Sequence, residues 1–329
     1  MIPKVLITTV PFGQHDPTPF QLLEAAGAHH VLNPLGRKLK AHELANLIGD
    51  YDVLIAGTEP ITELVMARAD RLKLIARVGI GLDSVDLHAA RRRGIRVAYT
   101  PDAPARAVSD LTIGLMINLL RHVHISCSQM RGGHWYRHFG RRLGEVTVGV
   151  IGLGRIGAGV LQRLGGFGSP RVLVNDIRHN RALEMAFQFE WTDKDTIYRE
   201  ADIVTLHVPL TGQTRNMIRR EQLEMMKPDA LLINTARGGI VNEADLHAVM
   251  QAGHLGGAAV DVFEQEPYDG PLREIERCLL TAHMGSMSVD CRTRMEIEAT
   301  QEAVRFLAGQ ALESEVPEEE YASQLPPTA

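Results

Sequence analysis

The sequence predicts an α/β fold with two domains, each built on a parallel β-sheet with helices on both faces. The length of 329 residues exceeds the usual size of a single domain. Short apolar runs typical of strands alternate with stretches typical of helices, and this alternation implies that the strands pair in parallel. One set of these runs ends near residue 98 and a second begins near residue 147, which indicates two sheets.

The first sheet is predicted from apolar runs in the first hundred residues. Helices are expected between them at residues 18–27, 41–48 and 61–68. The strands are predicted at Val5–Thr8, His30–Leu32, Val53–Ala56, Leu74–Arg77 and Ile95–Ala98.

A long helix is predicted from Ala105 to Arg121, followed by a less regular stretch up to Gly144. The second sheet follows, with helices expected at residues 155–166 and 242–252. Its strands are predicted at Thr147–Ile151, Arg171–Asn175, Ile203–His207, Ala230–Asn234, Gly257–Asp261 and Leu279–Thr281. These strands are enough for a complete doubly wound sheet.

The last predicted helix, residues 288–307, comes too late in the chain to join the second sheet. We expect it to return to the first domain and make that domain discontinuous. The predicted domains are residues 1–101 with 287–312, and an inserted domain at residues 102–286. The tail at residues 313–329 is acidic and contains prolines, so it is expected to be disordered.

The composition excludes several classes of function. A formal charge of -5 gives no electrostatic reason to expect nucleic acid as a partner. Three widely spaced cysteines form neither a disulfide framework nor a zinc site, which favours a reducing compartment such as the cytoplasm. The apolar runs are too short to span a bilayer. His134 and His138 lack a nearby carboxylate, so we expect loop or interface residues there and no metal site.

A glycine motif opens the second sheet. Gly152, Gly154 and Gly157 follow an apolar strand and precede a helical pattern, which is the context that dinucleotide binding requires. The first glycine would allow a tight turn, the second a close approach of the pyrophosphate, and the third close packing of helix and strand. The helix N-terminus would attract the phosphates. This pattern predicts a Rossmann-like domain.

Asp176 indicates which dinucleotide is preferred. It lies about twenty residues after Gly157, at the end of the next predicted strand. Its carboxylate could accept hydrogen bonds from the ribose hydroxyls of NAD and would repel the 2′-phosphate of NADP. Arg178 and His179 could weaken that rejection. We therefore expect NAD or NADH, with NADP as the less favoured cofactor.

Three later strands end in residues suited to carbonyl reduction. Arg237 could clamp a substrate carboxylate, and His283 could exchange a proton near neutral pH. Glu266 could orient that histidine and stabilise its charged form, although Glu264 is a rival for this role. Each residue also has a plain structural alternative, as an ion-pair residue, a solvated loop acid or a structural histidine.

Together these segments resemble the D-isomer-specific 2-hydroxyacid dehydrogenase family. The resemblance runs from about Val53 to Gly309 and includes Arg77–Asp86, Ala107–Thr112 and His207–Thr211. It implies a discontinuous, flavodoxin-like substrate domain and an inserted NAD-binding domain. It also implies a homodimer, formed through the Ala105–Arg121 helix and the segment around Trp135.

The resemblance assigns roles to individual positions. Arg237 would bind substrate, His283 would be the acid/base, Glu266 its partner, and Asp261 would hold the nicotinamide amide. Substrate contacts are expected at Arg77, Val78, Gly79, Arg106 and Arg237, with the N–H groups of Val78 and Gly79 on the substrate carboxylate. Cofactor contacts are expected at Gly152, Gly154, Arg155, Ile156, Gly157, Asp176, His207, Val208, Pro209, Thr235, Ala236, Asp261, Gly285 and Ser286.

Two positions limit what can be carried over. Ala282 stands where the family often has proline before the catalytic histidine. Arg106 lies near the expected hinge, where we hypothesise a contact with a second anion such as a substrate phosphate; a solvated arginine in the first turn of a helix is the alternative. The expected reaction is NADH-dependent reduction of a 2-oxoacid to a D-2-hydroxyacid, or the reverse. The alternatives are a phosphite-type dehydrogenase and a non-catalytic NADH-sensing protein.

Overall fold

The computed structural model describes residues 2–324. The chain divides into two units, with boundaries between Pro104 and Ala105 and between Gly285 and Ser286. The first unit therefore contains chain segments from both sides of the second, which is inserted. These boundaries lie close to the predicted ones.

The first unit contains a five-stranded parallel sheet with strand order β2-β1-β3-β4-β5, the order of flavodoxin-like folds. Its elements up to the first boundary are β1 (Lys4–Ile7), α1 (Thr18–Ala25), β2 (His29–Leu32), α2 (Ala41–Leu47), β3 (Val53–Ala56), α3 (Glu63–Met66), β4 (Leu74–Arg77), α4 (Leu87–Arg92) and β5 (Arg96–Ala98). Every residue of β3 and β4 is buried, because helices cover both faces of these central strands.

The second unit contains a seven-stranded parallel sheet with order β12-β11-β10-β9-β6-β7-β8. The chain enters it through α5 (Ala103–Leu120) and α6 (Val123–Arg131). The remaining elements are β6 (Val148–Ile151), α7 (Arg155–Leu164), β7 (Val172–Asn175), α8 (Arg181–Ala186), β8 (Glu190–Trp191), α9 (Lys194–Glu200), β9 (Ile203–Leu206), α10 (Arg220–Met225), β10 (Leu231–Asn234), α11 (Glu243–Gln251), β11 (Gly257–Val260) and β12 (Cys278–Leu280).

The sheet of the second unit separates two apolar cores. Along β10, Leu231 and Ile233 belong to one core and Leu232 to the other, as strand alternation requires. This is the doubly wound arrangement that the apolar runs predicted. Several elements have no predicted range. Among them, α6 replaces part of the expected irregular stretch, and the two-residue β8 is too short to produce a sequence pattern.

The helix α12 (Val289–Leu307) lies in the first unit, where it packs against α1, β3 and β4. It contributes a buried ion pair between Arg292 and Glu296, with a Nε–Oε1 distance of 2.7 Å. Arg292 also donates to the hydroxyl of Thr9, and Glu296 accepts from the N–H of Gly13, both at 2.7 Å. These bonds attach the helix, which follows the second unit along the chain, to the loop after β1.

The tail corrects a prediction, because residues 313–324 are ordered. Val316 is buried and donates its N–H to the carbonyl of Val97 on β5, the edge strand of the sheet, at 2.9 Å. A short helix, α13 (Glu318–Ser323), follows and buries Tyr321. The acidic residues pair with arginines of the same unit, as Glu318 does with Arg91 at 2.6 Å. The expected disorder is wrong for this segment, and residues 325–329 lie outside the described part.

Among residues 2–324, no helix is both long and apolar enough to cross a bilayer.

Candidate active site

Three neighbouring strands of the second unit end at the same level. Asn234 at the end of β10 pairs with Val260 at the end of β11, and Val260 pairs with Leu280 at the end of β12. Adjacent strands lie about 5 Å apart, so the three ends fall within about 10 Å of one another. The loops that leave these ends carry Arg237, Glu266 and His283. Parallel sheets bind their ligands at this edge.

The structure brings His283 and Glu266 into contact. The Nδ1 atom of His283 lies 2.9 Å from each carboxylate oxygen of Glu266. A carboxylate can only accept hydrogen bonds, so Nδ1 carries a proton and Nε2 is the nitrogen available for proton exchange. The rival residue Glu264 is exposed, and it is Glu266 that contacts the ring.

Asp261 organises the loop that carries His283, a role the sequence did not reveal. Its buried carboxylate accepts hydrogen bonds from the Thr281 hydroxyl at 2.6 Å and from the N–H groups of Met284 and Gly285 at 2.9 Å. Its backbone carbonyl accepts from the N–H of His283 at 2.8 Å. These bonds hold His283 in a left-handed conformation with φ of 48°. An ionised carboxylate has about four acceptor positions, so one remains for the predicted amide contact.

Arg237 lies in a turn that Asn234 holds in shape. The side chain of Asn234 accepts from the N–H of Ala236 at 3.1 Å and donates to the carbonyl of Arg237 at 3.0 Å. Arg237 itself is half-buried and donates to the carbonyl of Ala236 at 2.6 Å. The neighbouring Thr235 hydroxyl lies 2.9 Å from that of Thr112 on α5.

The three glycines after β6 differ in the space around them: a side chain would meet other atoms at two of them and open space at the third. Gly152 has φ of 97°, and a side chain there would lie 2.6 Å from the carbonyl oxygen of His207. A side chain at Gly157 would overlap the carbonyl of Gly152. Gly154 instead caps α7, and a methyl group added there would meet no atom within 4 Å, so the space beside it is open. A pyrophosphate could approach the backbone there.

Asp176 follows β7 directly and faces the glycine loop. Its carboxylate accepts hydrogen bonds from the N–H of Leu153 at 2.5 Å and from the N–H of Arg178 at 2.8 Å. The side chain of Arg178 is exposed beside it, while His179 stacks on Trp191 with ring centroids 4.2 Å apart. These two hydrogen bonds fix the carboxylate next to the glycine loop.

His207 follows β9, next to the glycine loop. Burial lowers the pKa of His207 to about 3, so its ring is neutral. The Nε2 atom lies 3.0 Å from the Thr205 hydroxyl. Among the described residues, the buried Nδ1 atom has no hydrogen-bond partner. An unsatisfied buried nitrogen is costly in a folded protein unless a ligand or water completes it.

The remaining predicted cofactor residues lie in the same unit, apart from Ser286, the first residue after the second boundary. Arg155 and Ile156 begin α7, and the carbonyl of Ile156 accepts from the Ser109 hydroxyl at 3.0 Å. Val208 and Pro209 follow His207, and the carbonyl of Pro209 accepts from the Thr214 hydroxyl at 2.6 Å.

In the first unit, the N–H groups of Val78 and Gly79 have hydrogen-bond partners within the chain. The N–H of Val78 donates to the carbonyl of Ala56 at 2.8 Å, because it extends the parallel ladder beyond β4. The N–H of Gly79 donates to the Thr100 hydroxyl at 2.8 Å. The contact of these two N–H groups with a substrate carboxylate, which the resemblance implies, stays a prediction. Arg77 is buried and donates to the carbonyl of Val78.

Arg106 is an exposed residue in the first turn of α5, and its carbonyl accepts from Arg163 at 3.1 Å. Its contact with a second anion stays a hypothesis. Among residues 2–324, no group of three or more histidine, cysteine or acidic residues is arranged for a metal ion. His138 instead lies 2.9 Å from the amide oxygen of Gln129.

These features fit an NAD-type cofactor. The open space at Gly154, the buried nitrogen of His207 and the carboxylate of Asp176 all lie along the loops after β6, β7 and β9. The strand order reverses between β6 and β9, and dinucleotides bind at such a switch point.

Comparison with known proteins identifies the family to which this chain is similar. Residues 113–285 match the family described as D-isomer specific 2-hydroxyacid dehydrogenase, NAD binding domain. A hydroxypyruvate reductase from Thermotoga maritima is 35% identical over 82% of this chain and 89% of its own length. A D-3-phosphoglycerate dehydrogenase from Methanocaldococcus jannaschii is 34% identical over 90% of this chain, which spans only 56% of that relative.

Solved structures are similar along most of the chain. A protein from Thermus thermophilus superposes with a TM-score of 0.87 and 34% identity, covering 95% of this chain and 100% of its own. The D-lactate dehydrogenase from Aquifex aeolicus, solved as a complex with NAD and lactic acid, has a TM-score of 0.83 and 25% identity. It covers 93% of this chain and 96% of its own.

Proposed function

Because the chain belongs to the D-isomer-specific 2-hydroxyacid dehydrogenase family, we propose that it interconverts a 2-oxoacid and a D-2-hydroxyacid. The members of this family are NAD-dependent oxidoreductases, and this chain is one of them. The observation that carries the proposed reaction is the contact between His283 and Glu266, at 2.9 Å. It lies one strand away from the turn that bears Arg237.

His283 is the proposed acid and base. With Nδ1 held by Glu266, the imidazolium form carries a proton on Nε2, which it can give to the carbonyl oxygen during reduction. The neutral form has a lone pair on Nε2, which can take the hydroxyl proton during oxidation. Acid–base catalysis by histidine typically accelerates a reaction about 10²- to 10⁴-fold.

Arg237 is the proposed substrate-binding residue. A guanidinium can bind a carboxylate through two parallel hydrogen bonds and polarise the neighbouring carbonyl. NADH, when bound, supplies the hydride for reduction. The residues proposed to hold it are those at the glycine loop, Asp176, and the loops after β9 to β12. Asp176 favours NAD over NADP, since its charge would oppose a 2′-phosphate.

The relatives suggest which substrates to test first. They include proteins named hydroxypyruvate reductase, glyoxylate reductase and D-3-phosphoglycerate dehydrogenase. The proposed second-anion contact of Arg106 would favour a phosphorylated substrate. If Arg106→Ala leaves KM unchanged for phosphorylated and plain substrates alike, that contact is wrong.

The decisive experiment measures NADH oxidation with glyoxylate, hydroxypyruvate and other 2-oxoacids, and NAD reduction with D-3-phosphoglycerate and D-lactate. We expect turnover of at least one substrate, and we expect His283→Ala to lose most turnover while its Kd for NADH stays unchanged. Turnover with phosphite alone would support the phosphite-type alternative. Tight NADH binding without turnover of any substrate would support the NADH-sensing alternative. Unchanged turnover in His283→Ala would remove this residue from the mechanism.

We also propose that the chain is a homodimer. The segment after α6 carries aromatic side chains that a single chain leaves exposed, with Trp135 at 80% and Phe139 at 98%. Exposed aromatic side chains of this kind are typical of protein interfaces. A monomeric mass in light scattering would contradict this. The cytoplasmic location stays a prediction.

A further inference from the structure

The peptide bond between Phe263 and Glu264 lies in the loop that carries Glu266. The loop is held at its start by Asp261, which is buried, while Glu264 and Gln265 are exposed. Within the loop, the N–H of Phe263 donates to Glu266 at 3.2 Å. This N–H belongs to the preceding peptide, which shares Phe263 with the Phe263–Glu264 peptide, so a shift of the latter would also move a donor to Glu266.

One neighbour of this peptide is the turn that bears Arg237. A side chain at Gly238 would overlap the carbonyl group of Phe263 and would lie 2.5 Å from the nitrogen of Glu264. The absence of a side chain at Gly238 thus lets the peptide lie directly against the arginine turn. This contact is steric and sets how closely the two loops approach.

The other neighbour is Glu243, the first residue of α11. Its Oε1 atom accepts a hydrogen bond from the N–H of Glu264 at 2.7 Å. The backbone of Glu243 is fixed, because the side chain of Asn242 caps the helix by accepting from the N–H of Asp245 at 3.0 Å. Gly238 and Glu243 therefore contact the same peptide, one by packing and the other by a hydrogen bond.

We propose that Glu243 is a positioning residue for the reaction. By accepting the hydrogen bond from the Glu264 N–H, it fixes the loop that holds Glu266 against His283. The inference rests on the proposed function, in which His283 exchanges the substrate proton.

The electrostatic surroundings of Glu243 indicate that the length of its side chain matters more than its charge. Burial raises the pKa of Glu243, the Glu264 N–H lowers it, and the charges of Glu264 and Glu266 raise it again. The negative charge is therefore unfavourable at this position. A neutral side chain of the same length could accept the same hydrogen bond, whereas a shorter carboxylate would fall short of the Glu264 nitrogen.

Two substitutions separate these properties. Glu243→Asp keeps the charge and shortens the side chain by one carbon, and Glu243→Gln keeps the length and removes the charge. We expect Glu243→Asp to lower kcat about ten- to hundredfold, since a misplacement of about 1 Å can have an effect of this size. Its KM and Kd for NADH should stay near wild type. Glu243→Gln should keep kcat within about threefold of the wild-type value.

Glu221→Asp is the matched control, because Glu221 occupies the first turn of α10 and is exposed. It should leave kcat unchanged. Hydrogen exchange provides a readout that does not depend on activity. The Glu264 amide should exchange faster in Glu243→Asp than in wild type, and should be protected again in Glu243→Gln.

Wild-type kcat in Glu243→Asp would overturn the inference and leave the proposed function intact. Equal losses in Glu243→Asp and Glu243→Gln would also overturn it, because charge would then be the property that matters. If the wild-type chain turns over no 2-oxoacid, the proposed function itself fails, and the role of Glu243 in it fails too.

Discussion

Replacing His207 with glutamine should make the second unit less sensitive to acid. Burial lowers the pKa of His207 from 6.5 to about 3. Between these two values the unfolded chain binds a proton that the folded chain does not bind. Stability therefore falls as the pH decreases through this range, and it is regained as the pH rises above 6.5. Glutamine does not titrate, so the variant lacks this contribution.

The size of the effect at about pH 5 depends mainly on the unfolded pKa. That pH lies about 1.5 units below the ordinary value of histidine, and one unit corresponds to about 1.4 kcal/mol. Wild type should therefore lose about 2 kcal/mol of unfolding free energy through this residue between about pH 7.5 and pH 5. The folded pKa of about 3 lies well below the pH of the measurement, so the folded state binds almost no proton at this residue.

Urea unfolding followed by tryptophan fluorescence measures this loss. Both tryptophans of the chain, Trp135 and Trp191, belong to the second unit, so the signal reports the unfolding of that unit. The comparison concerns the change with pH, since losing the contact with Thr205 will also alter stability at neutral pH. His247→Gln, at a partly exposed position on α11, controls for the substitution itself. Equal losses in wild type and His207→Gln would refute the claim that burial keeps this ring neutral.

Three further predictions concern the glycine loop, the charge of Asp176 and the ordered tail. Gly154→Ala should keep the wild-type Tm but weaken NADH binding in calorimetry, because the added methyl occupies only open space; Gly157→Ala should lower Tm, since its methyl would overlap the Gly152 carbonyl. Asp176→Asn should raise kcat/KM for NADPH relative to NADH about tenfold, because it removes the charge that opposes a 2′-phosphate; an unchanged ratio would contradict this. Gln324→Ala should speed amide exchange at Leu87, whose N–H donates to the Gln324 side chain at 2.9 Å; wild-type exchange there would contradict an ordered tail.

The sheets could be predicted from the sequence because central parallel strands are buried on both faces. Val53–Ala56 and Leu74–Arg77 are continuous, nearly apolar runs for this reason, and the structure has strands at both. The tail could not be predicted from its composition. Its acidic residues suggested disorder, but Glu315 and Glu318 pair with arginines that lie more than two hundred positions earlier. Composition does not reveal such distant partners.

In the candidate site too, the residues that follow strands could be predicted, and the contacts with distant partners could not. Arg237, Glu266 and His283 could be proposed together because each follows a strand, and consecutive strands of this sheet are also neighbours in space. Strand ends are visible in a sequence, so the residues beyond them can be grouped before the structure is known. The state of individual N–H groups has no such signal: those of Val78 and Gly79 donate to Ala56 and Thr100, which come from other strands and loops.

Contacts between loops are the part that sequence patterns leave open, and they carry much of the positioning. Asp261 was expected to serve the cofactor, yet three of its acceptor positions hold the loop that bears His283. Glu243 belongs to no motif in the sequence, yet its side chain accepts a hydrogen bond from the loop that bears Glu266. Both are carboxylates accepting backbone N–H groups, and neither belongs to a periodic pattern. A substitution at Asp261 would therefore disturb the histidine loop as well as any cofactor contact, so loss of activity there would not by itself identify a cofactor residue.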